Sequence, residues 1–261
     1  MIKLFDPSIN QAEKNSVLKV LNSKFWASGS GVGNVLEFEK QFKKYIKSDS
    51  CIAVNSGTAA LNLALSLFNI KNKEVILPSL SFVSTAHSII ENGGKPIFVD
   101  IEPEFYTMSP AAVKSAISPS TKAIIAVHLF GQPVHPEIFE LGIPVIEDAA
   151  QAHGAELNNQ RVGSIGELAT FSFFPSKNLT VGGDGGAILA NTPKLSTSIS
   201  AVVNHGLSKA GGYNFLSSNY RLSEIQCAIG RIQLKHLNDW CKRRQQIAER
   251  YSEAFDNSMI P

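Results

Sequence analysis

The sequence LATFSFFPSKNLTVGGDGGAILA, residues 168–190, decides the fold prediction for this chain. Its apolar run at 169–174 is typical of a strand that is buried on both faces of a sheet. Lys177 follows three residues after that run, and four glycines come next, interrupted only by Asp184. This connection is rich in glycine and lacks helical periodicity, so it does not supply the crossover that joins parallel strands. We therefore expect the strand at 186–190 to run antiparallel to its neighbours.

Lys177 is the candidate reactive residue of this stretch. A lysine at the end of a buried strand is partly desolvated, and an amine in that position loses its proton more easily. An unprotonated lysine can form a Schiff base with a carbonyl compound or with pyridoxal phosphate. The alternative is a solvated hairpin with a surface lysine, because most lysines are exposed. Other residues must decide between the two interpretations.

The composition argues against several classes of protein. The chain has 261 residues, 44% of them hydrophobic and 18% charged, which suffices for a sizeable core. A formal net charge of +2 gives no electrostatic reason to expect a nucleic-acid partner. The three cysteines show neither metal-ligand spacing nor a disulfide framework, which favours a reducing cytoplasm. No apolar run has the length of a signal peptide core or a membrane span, so we expect a soluble protein without a membrane partner.

Short apolar runs alternate with helical patterns along the chain. The runs lie at 51–54, 74–77, 96–99, 122–127 and 144–147, and the helical patterns between them at 58–68, 83–91, 109–117 and 135–141. This alternation predicts βα units on a parallel sheet. Further helices are expected at 10–22, from residue 34, and at 195–203, 223–237 and 239–255. Ligands of such sheets bind beyond the carboxyl ends of the strands, so the residues after each run are the functional candidates.

The first run is followed by a turn that can bind an anion. Ser56, Gly57 and Thr58 come after the run at 51–54 and open a helix. The free backbone N–H groups and the positive end of the helix dipole then point at one place. Simple N-capping by Ser56 or Thr58 is the alternative.

An aromatic ring and an acid follow two further runs. Phe82 comes after the run at 74–77, where it is either a core residue or a ring that stacks on a ligand. Asp148 follows directly after the run at 144–147, and an acid in this position can hydrogen-bond a protonated pyridine nitrogen. We choose Asp148 over Glu147, since strand alternation puts the two on opposite sides and two alanines after Asp148 leave room for a flat ring.

Four motifs occur together along the chain. They are Ser-Gly-Thr at 56–58, EDAAQAHGA at 147–155, SFFPSKNLTVGGDGG at 172–186 and SNYRLSEIQCAIG at 218–230. Their order and spacing closely resemble those of the DegT/DnrJ/EryC1/StrS family of pyridoxal phosphate-dependent sugar aminotransferases, from about residue 9 to residue 255. The resemblance implies an aspartate aminotransferase-like large domain, a three-layer α/β/α fold with a mostly parallel seven-stranded sheet. It also implies a homodimer.

The resemblance implies the chemistry of three residues. Lys177 matches the lysine that holds pyridoxal phosphate as an internal aldimine. Asp148 matches the partner of the pyridine nitrogen, and Gln151 matches the residue beside the ring hydroxyl. As a free amine, Lys177 would also carry the proton between the donor and the cofactor.

The resemblance also implies which residues surround the cofactor. Gly57, Thr58 and Ser172 match the phosphate cradle, and Phe82 matches an aromatic ring over the cofactor face. Asn219 ends a polar loop at 209–219 and matches a residue that reaches the phosphate of the partner subunit. Each active site would then need two chains.

The activity implied is amino transfer, usually from glutamate, to a 3-keto or 4-keto deoxysugar carried on a nucleotide in amino-sugar or polysaccharide biosynthesis. Two alternatives stay open, a pyridoxal phosphate-dependent sugar dehydratase and a non-catalytic fragment or scaffold that only binds the cofactor. Dehydratases of this fold replace the Schiff-base lysine with histidine, so Lys177 counts against the first. An NAD-binding Rossmann domain is disfavoured because no G-x-G-x-x-G follows the first strand.

The resemblance further implies a division of the chain. Residues 1–237 match the cofactor-binding large domain with its N-terminal helices, and residues 238–261 match the beginning of a C-terminal small domain. Family members usually continue for roughly another 100 residues, the size of a separate folding unit. We therefore expect that small domain to be truncated here.

Overall fold

The computed structural model of the chain describes residues 3, 6–28, 33–207, 211–214 and 216–255. Of the loop expected at 209–219, residues 209, 210 and 215 lie outside this part. The strands are β1 (Ser50–Val54), β2 (Glu74–Pro78), β3 (Lys95–Val99), β4 (Thr121–Val127), β5 (Val145–Asp148), β6 (Glu156–Leu157), β7 (Gln160–Arg161), β8 (Leu168–Ser172) and β9 (Gly186–Ala190). The α-helices are α1 (Gln11–Ser23), α2 (Asn34–Ile46), α3 (Gly57–Leu67), α4 (Val83–Glu91), α5 (Pro110–Ala116), α6 (Pro193–Val203) and α7 (Glu224–Ala254).

Seven strands form one sheet in the order β1-β9-β8-β5-β4-β2-β3. The pairs β2–β3, β2–β4, β4–β5 and β5–β8 are parallel. Strand β9 is antiparallel to both β1 and β8, which confirms the prediction from the glycine-rich connection. The expected mostly parallel seven-stranded sheet is therefore confirmed, and the carboxyl ends of its parallel strands meet at one edge.

Helices cover both faces of the sheet and bury it. Helices α3 and α6 pack with one large apolar cluster, whereas α2 and α7 pack on the opposite face with a second cluster that contains Phe38, Phe42 and Phe171. Strand β8 is buried on both faces, as its continuous apolar sequence predicts. No helix in the described part of the chain combines the length and apolar character needed to cross a membrane.

The long helix α7 differs from the prediction of two helices at 223–237 and 239–255. It runs without a break through Asn238, whose side chain accepts a 2.8 Å hydrogen bond from the Tyr45 hydroxyl. That bond occupies the amide oxygen, so it does not compete for the helix backbone. The domain boundary at 237 and 238 falls inside this helix and stays a prediction.

Two other elements also differ from their predictions. The pattern at 135–141 forms a short 3₁₀ helix at Pro136–Glu140, which is followed by Gly142 in the left-handed region at φ 72°. A turn of that kind stops the helix before a second α-helical turn forms. The apolar run at 169–174 gives a strand at Leu168–Ser172, so Phe174 already belongs to the loop that carries Lys177.

Candidate active site

A cavity of about 330 Å³ lies at the carboxyl-end edge of the sheet. Seven of the eight predicted site residues line it, namely Gly57, Thr58, Phe82, Asp148, Gln151, Ser172 and Lys177. They come from α3, the start of α4, the end of β5, and β8 with its following loop. The parallel sheet thus brings together side chains that are up to about 120 residues apart in sequence.

The N-terminus of α3 forms one wall of the cavity. Ser56 is its N-cap, and its hydroxyl accepts a 3.0 Å hydrogen bond from the Ala59 amide, so the capping alternative is correct for Ser56. The first amide that bonds inside the helix is that of Ala60, which donates to the Ser56 carbonyl at 3.1 Å. The amides of Gly57 and Thr58 precede it and have no acceptor within the helix, which is the arrangement that binds an anion.

Gly57 and Gly186 allow the N-terminus of α3 to lie in direct contact with the sheet. A Cβ atom on Gly57 would lie 2.8 Å from the Cβ of Ser172. A Cβ atom on Gly186 would lie 2.6 Å from the backbone carbonyl of Ser56. Contacts below 3.0 Å are not tolerated, so any larger residue would push the helix N-terminus away from β8 and β9.

Asp148 carries the buried negative charge of the site. The residue is only 6% exposed. One carboxylate oxygen accepts a 3.0 Å hydrogen bond from the Thr85 hydroxyl, and the other accepts a 3.3 Å bond from the Ala150 amide. Burial raises the pKa of Asp148, and these two hydrogen bonds together with the nearby His128 and Lys177 oppose that rise only in part.

Glu147 has a structural role on the opposite side of the strand. It is fully buried, and its carboxylate lies 3.1 Å from the Nε2 atom of His128. It also accepts hydrogen bonds of 2.7 to 2.8 Å from three backbone amides, those of Gly163, Ile165 and Gly166. The Glu147 carboxylate is therefore fully engaged by groups of the protein. Asp148, and not Glu147, faces the cavity.

Lys177 lies near the Asp148 carboxylate, on the loop after β8. It is partly buried, and its backbone amide donates a 2.8 Å hydrogen bond to the Phe174 carbonyl, which fixes the loop. Burial lowers the pKa of the Lys177 amine, while the negative charge of Asp148 raises it. A partly desolvated amine of this kind can act as a nucleophile and as a base.

Gln151 and Phe82 complete the walls. The side-chain oxygen of Gln151 accepts a 2.9 Å hydrogen bond from the Phe130 amide, which leaves its NH₂ group as the donor available to a ligand. Phe82 is the N-cap of α4 and is 70% exposed, so it lies at the mouth of the cavity and not in the core. A flat ring inside the cavity would therefore have an aromatic neighbour and a hydrogen-bond donor at its rim.

Asn219 is the predicted site residue that does not line this cavity. It is exposed, its side-chain oxygen accepts a 3.2 Å bond from the Arg221 amide, and its backbone forms a β-bridge with Asn204. The role predicted for it concerns a partner subunit, so it stays a prediction.

Sequence reasoning missed several residues that line the cavity or lie behind it. His128 follows β4 and Ser81 follows β2, so both stand after strand ends, where functional residues are expected. Thr85 is fully buried inside α4, and its sequence context gives no sign of its contact with Asp148.

The cavity residues match the requirements of pyridoxal phosphate. The open amides at the start of α3 suit a phosphate, and the buried carboxylate of Asp148 suits a protonated ring nitrogen. The partly desolvated Lys177 supplies an amine for covalent attachment.

The chain is similar to proteins of one enzyme family. A model of the DegT/DnrJ/EryC1/StrS aminotransferase family matches residues 7–260. The UDP-N-acetyl-3-dehydro-alpha-D-glucosamine 3-aminotransferase of Acidithiobacillus ferrooxidans is 43% identical over 76% of this chain and 55% of its own length.

Two solved structures share the fold. S. venezuelae DesV in complex with a ketimine intermediate superposes with a TM-score of 0.88 at 34% identity, over 94% of this chain and 67% of that chain. A GDP-4-keto-6-deoxymannose-3-dehydratase with a trapped PLP-glutamate geminal diamine gives a TM-score of 0.85 at 28% identity, over 91% and 69%. The chain therefore spans between 55% and 69% of the length of these three proteins.

Proposed function

Because the chain belongs to the DegT/DnrJ/EryC1/StrS aminotransferase family, we propose that it binds pyridoxal phosphate on Lys177 and moves an amino group from an amino acid to a keto sugar carried on a nucleotide. The observation that carries this proposal is the meeting of Lys177, Asp148 and the N-terminus of α3 at one cavity. An amine, a buried carboxylate and an anion cradle in one place are the groups that this cofactor needs.

The phosphate end is bound by the start of α3. The amides of Gly57 and Thr58 donate to phosphate oxygens, and the Ser172 hydroxyl lies next to Gly57 on β8. The positive end of the helix dipole adds to the attraction for a dianion. This contact would hold the phosphate end of the cofactor.

The ring end is bound by Asp148. Its ionised carboxylate would accept a hydrogen bond from the protonated pyridine nitrogen and so keep the proton on that nitrogen. When bound and protonated in this way, pyridoxal phosphate supplies an electron sink for the bond changes at an amino acid α-carbon. Gln151 would donate from its NH₂ group to the ring hydroxyl, and Phe82 would shield the ring from water at the cavity mouth.

Lys177 has two tasks in this proposal. Its amine would hold the cofactor, and as a free amine it would take the proton from the α-carbon of the amino donor. Both tasks require the unprotonated amine, and partial burial favours that form. Lys177 also argues against the dehydratase alternative, since a lysine stands where the sequence analysis places a histidine for that reaction.

The substrate part of the proposal is supported by relatives. The Acidithiobacillus ferrooxidans relative is named for amino transfer to a UDP-linked 3-keto sugar, and the dehydratase structure carries glutamate on its PLP. We propose glutamate as the donor and a 3-keto or 4-keto deoxysugar on dTDP, UDP or GDP as the acceptor. The rival proposal is a chain that binds the cofactor without transferring an amino group.

Asn219 supports a proposal about assembly. It lies outside the cavity of its own chain and is exposed, as a residue that completes the site of a second subunit must be. We propose a homodimer in which Asn219 of each chain contacts the phosphate held by the other chain.

Two measurements test the proposed function. Borohydride reduction of the cofactor-loaded protein, followed by peptide mapping, should place the label on Lys177, and a label on another lysine would contradict the assignment. Incubation with glutamate and a panel of nucleotide-linked 3-keto and 4-keto sugars should release 2-oxoglutarate with one class of acceptor. Labelled Lys177 without 2-oxoglutarate for any acceptor would favour the binding-only alternative.

A further inference from the structure

Two hydroxyl groups lead from the cavity wall to the Asp148 carboxylate. Thr85, on the first turn of α4, is fully buried, and its Oγ1 atom lies 3.0 Å from Asp148 Oδ2. Ser81, in the turn before α4, lines the cavity, and its Oγ atom lies 2.9 Å from Thr85 Oγ1. Both distances are typical of good hydrogen bonds between oxygen atoms.

The chemistry of the groups fixes the direction of this chain. A hydroxyl has one proton to donate, and an ionised carboxylate can only accept. Thr85 must therefore donate to Asp148, so Ser81 must donate to Thr85. Hydroxyls aligned head to tail in a buried place polarise one another, which strengthens the bond to the carboxylate.

We infer that Thr85 is a positioning residue, which fixes the orientation of the Asp148 carboxylate and stabilises its negative charge, with Ser81 orienting the Thr85 hydroxyl. The inference rests on the proposed function, in which Asp148 must stay ionised to hold a ring proton. Thr85 itself reaches neither the cofactor nor the substrate, since it is fully buried behind the carboxylate and does not line the cavity.

Thr85 is the side-chain donor to Asp148, and it shares the carboxylate with one backbone donor. The Ala150 amide bonds the second carboxylate oxygen at the longer distance of 3.3 Å. His128 faces Asp148 from the end of β4, but its Nδ1 atom accepts from the Val134 amide and its Nε2 atom points at Glu147. Lys177 faces Asp148 from the loop after β8, and in the proposed function its amine is committed to the cofactor and not to the carboxylate.

The test compares two valine substitutions that each remove a buried threonine hydroxyl. Thr85→Val removes the donor to Asp148, whereas Thr170→Val is the matched control. Thr170 is 1% exposed, pairs with Asp148 across β5 and β8, and donates at 3.2 Å to the backbone carbonyl of Glu147. Thr85→Ser keeps the hydroxyl donor, so its binding of pyridoxal phosphate should have the pH dependence of the wild type.

The first readout is the dissociation constant for pyridoxal phosphate as a function of pH. Loss of the Thr85 donor raises the pKa of Asp148. The acid limb of the binding curve, where affinity falls as pH falls, should therefore lie about one pH unit higher. At a pH on that limb, affinity should fall about tenfold for Thr85→Val and stay within about twofold of wild type for Thr170→Val and Thr85→Ser. Equal shifts for the two valine variants, or none, would overturn the inference.

The second readout uses the ligand-free protein. The stability difference between wild type and Thr85→Val should grow as pH rises and Asp148 ionises, and it should lose this pH dependence in an Asp148→Asn background. A pH-independent difference in both backgrounds would overturn the inference. A wild-type protein that fails to bind pyridoxal phosphate would refute the proposed function instead, and this comparison would still decide the role of Thr85.

Discussion

Glu39 should make the folded protein less stable as pH rises through neutrality. It lies on α2, and its carboxylate accepts a 2.9 Å hydrogen bond from the Ala53 amide on the edge strand β1. Burial between helix and sheet raises the pKa of Glu39 from 4.5 to about 7, although the bond to Ala53 lowers it. The folded state therefore prefers the protonated carboxyl, and ionisation of Glu39 opposes folding.

The magnitude follows from the shift in pKa. The stabilisation is complete below the unfolded pKa of 4.5 and is lost as pH rises through the folded pKa of about 7. One pKa unit corresponds to about 1.4 kcal/mol, so the total loss is about 3 kcal/mol, most of it between pH 5 and pH 8. Glu39→Gln keeps an oxygen acceptor for the Ala53 amide but has no proton to lose.

The assay is urea unfolding of wild type and Glu39→Gln at pH 5 and pH 8. The stability advantage of the glutamine variant should increase by about 2 kcal/mol between these pH values, because all other titrating groups are the same in both proteins. Glu37→Gln is the control on the same helix, since Glu37 bonds to Gln41 and not to the sheet. A difference between wild type and Glu39→Gln that does not change with pH would refute the reasoning.

Three further predictions concern the site. Asp148→Asn should still bind pyridoxal phosphate but lower the rate of the half-reaction with glutamate by several orders of magnitude, since a neutral amide does not hold the pyridinium proton, and stopped-flow rates near those of wild type would show that the acid is misassigned. Gly186→Ala should lower the unfolding free energy by about 1–3 kcal/mol and weaken cofactor binding, because its methyl group would lie 2.6 Å from the Ser56 backbone. Unchanged urea unfolding would contradict this. Mixing Lys177→Ala with Asn219→Ala chains should restore cofactor binding at one site of each heterodimer. A monomer in sedimentation analysis, or normal binding by Asn219→Ala alone, would contradict the shared site.

The sequence by itself determined the layered α/β fold and most of the site. Apolar periodicity is a local property, so the alternation of strands and helices could be predicted without knowledge of their packing. A strand end in a parallel sheet is also a predictable place, which is why Asp148 and Lys177 could be assigned to one edge. Strand alternation separated Asp148 from Glu147 for the same local reason.

Only the tertiary structure decided which distant groups hold these residues in place. The Glu224 carboxylate accepts a 2.8 Å hydrogen bond from the Asn34 amide and so caps α2 from the start of α7. Thr85 on α4 donates to Asp148 at the end of β5. Helix α7 likewise meets α2 through the Tyr45 hydroxyl, which donates to the side chain of Asn238. A hydrogen bond forms only when two atoms come within about 3 Å at a suitable angle, and that distance is set by the packing of whole elements, which no local pattern encodes.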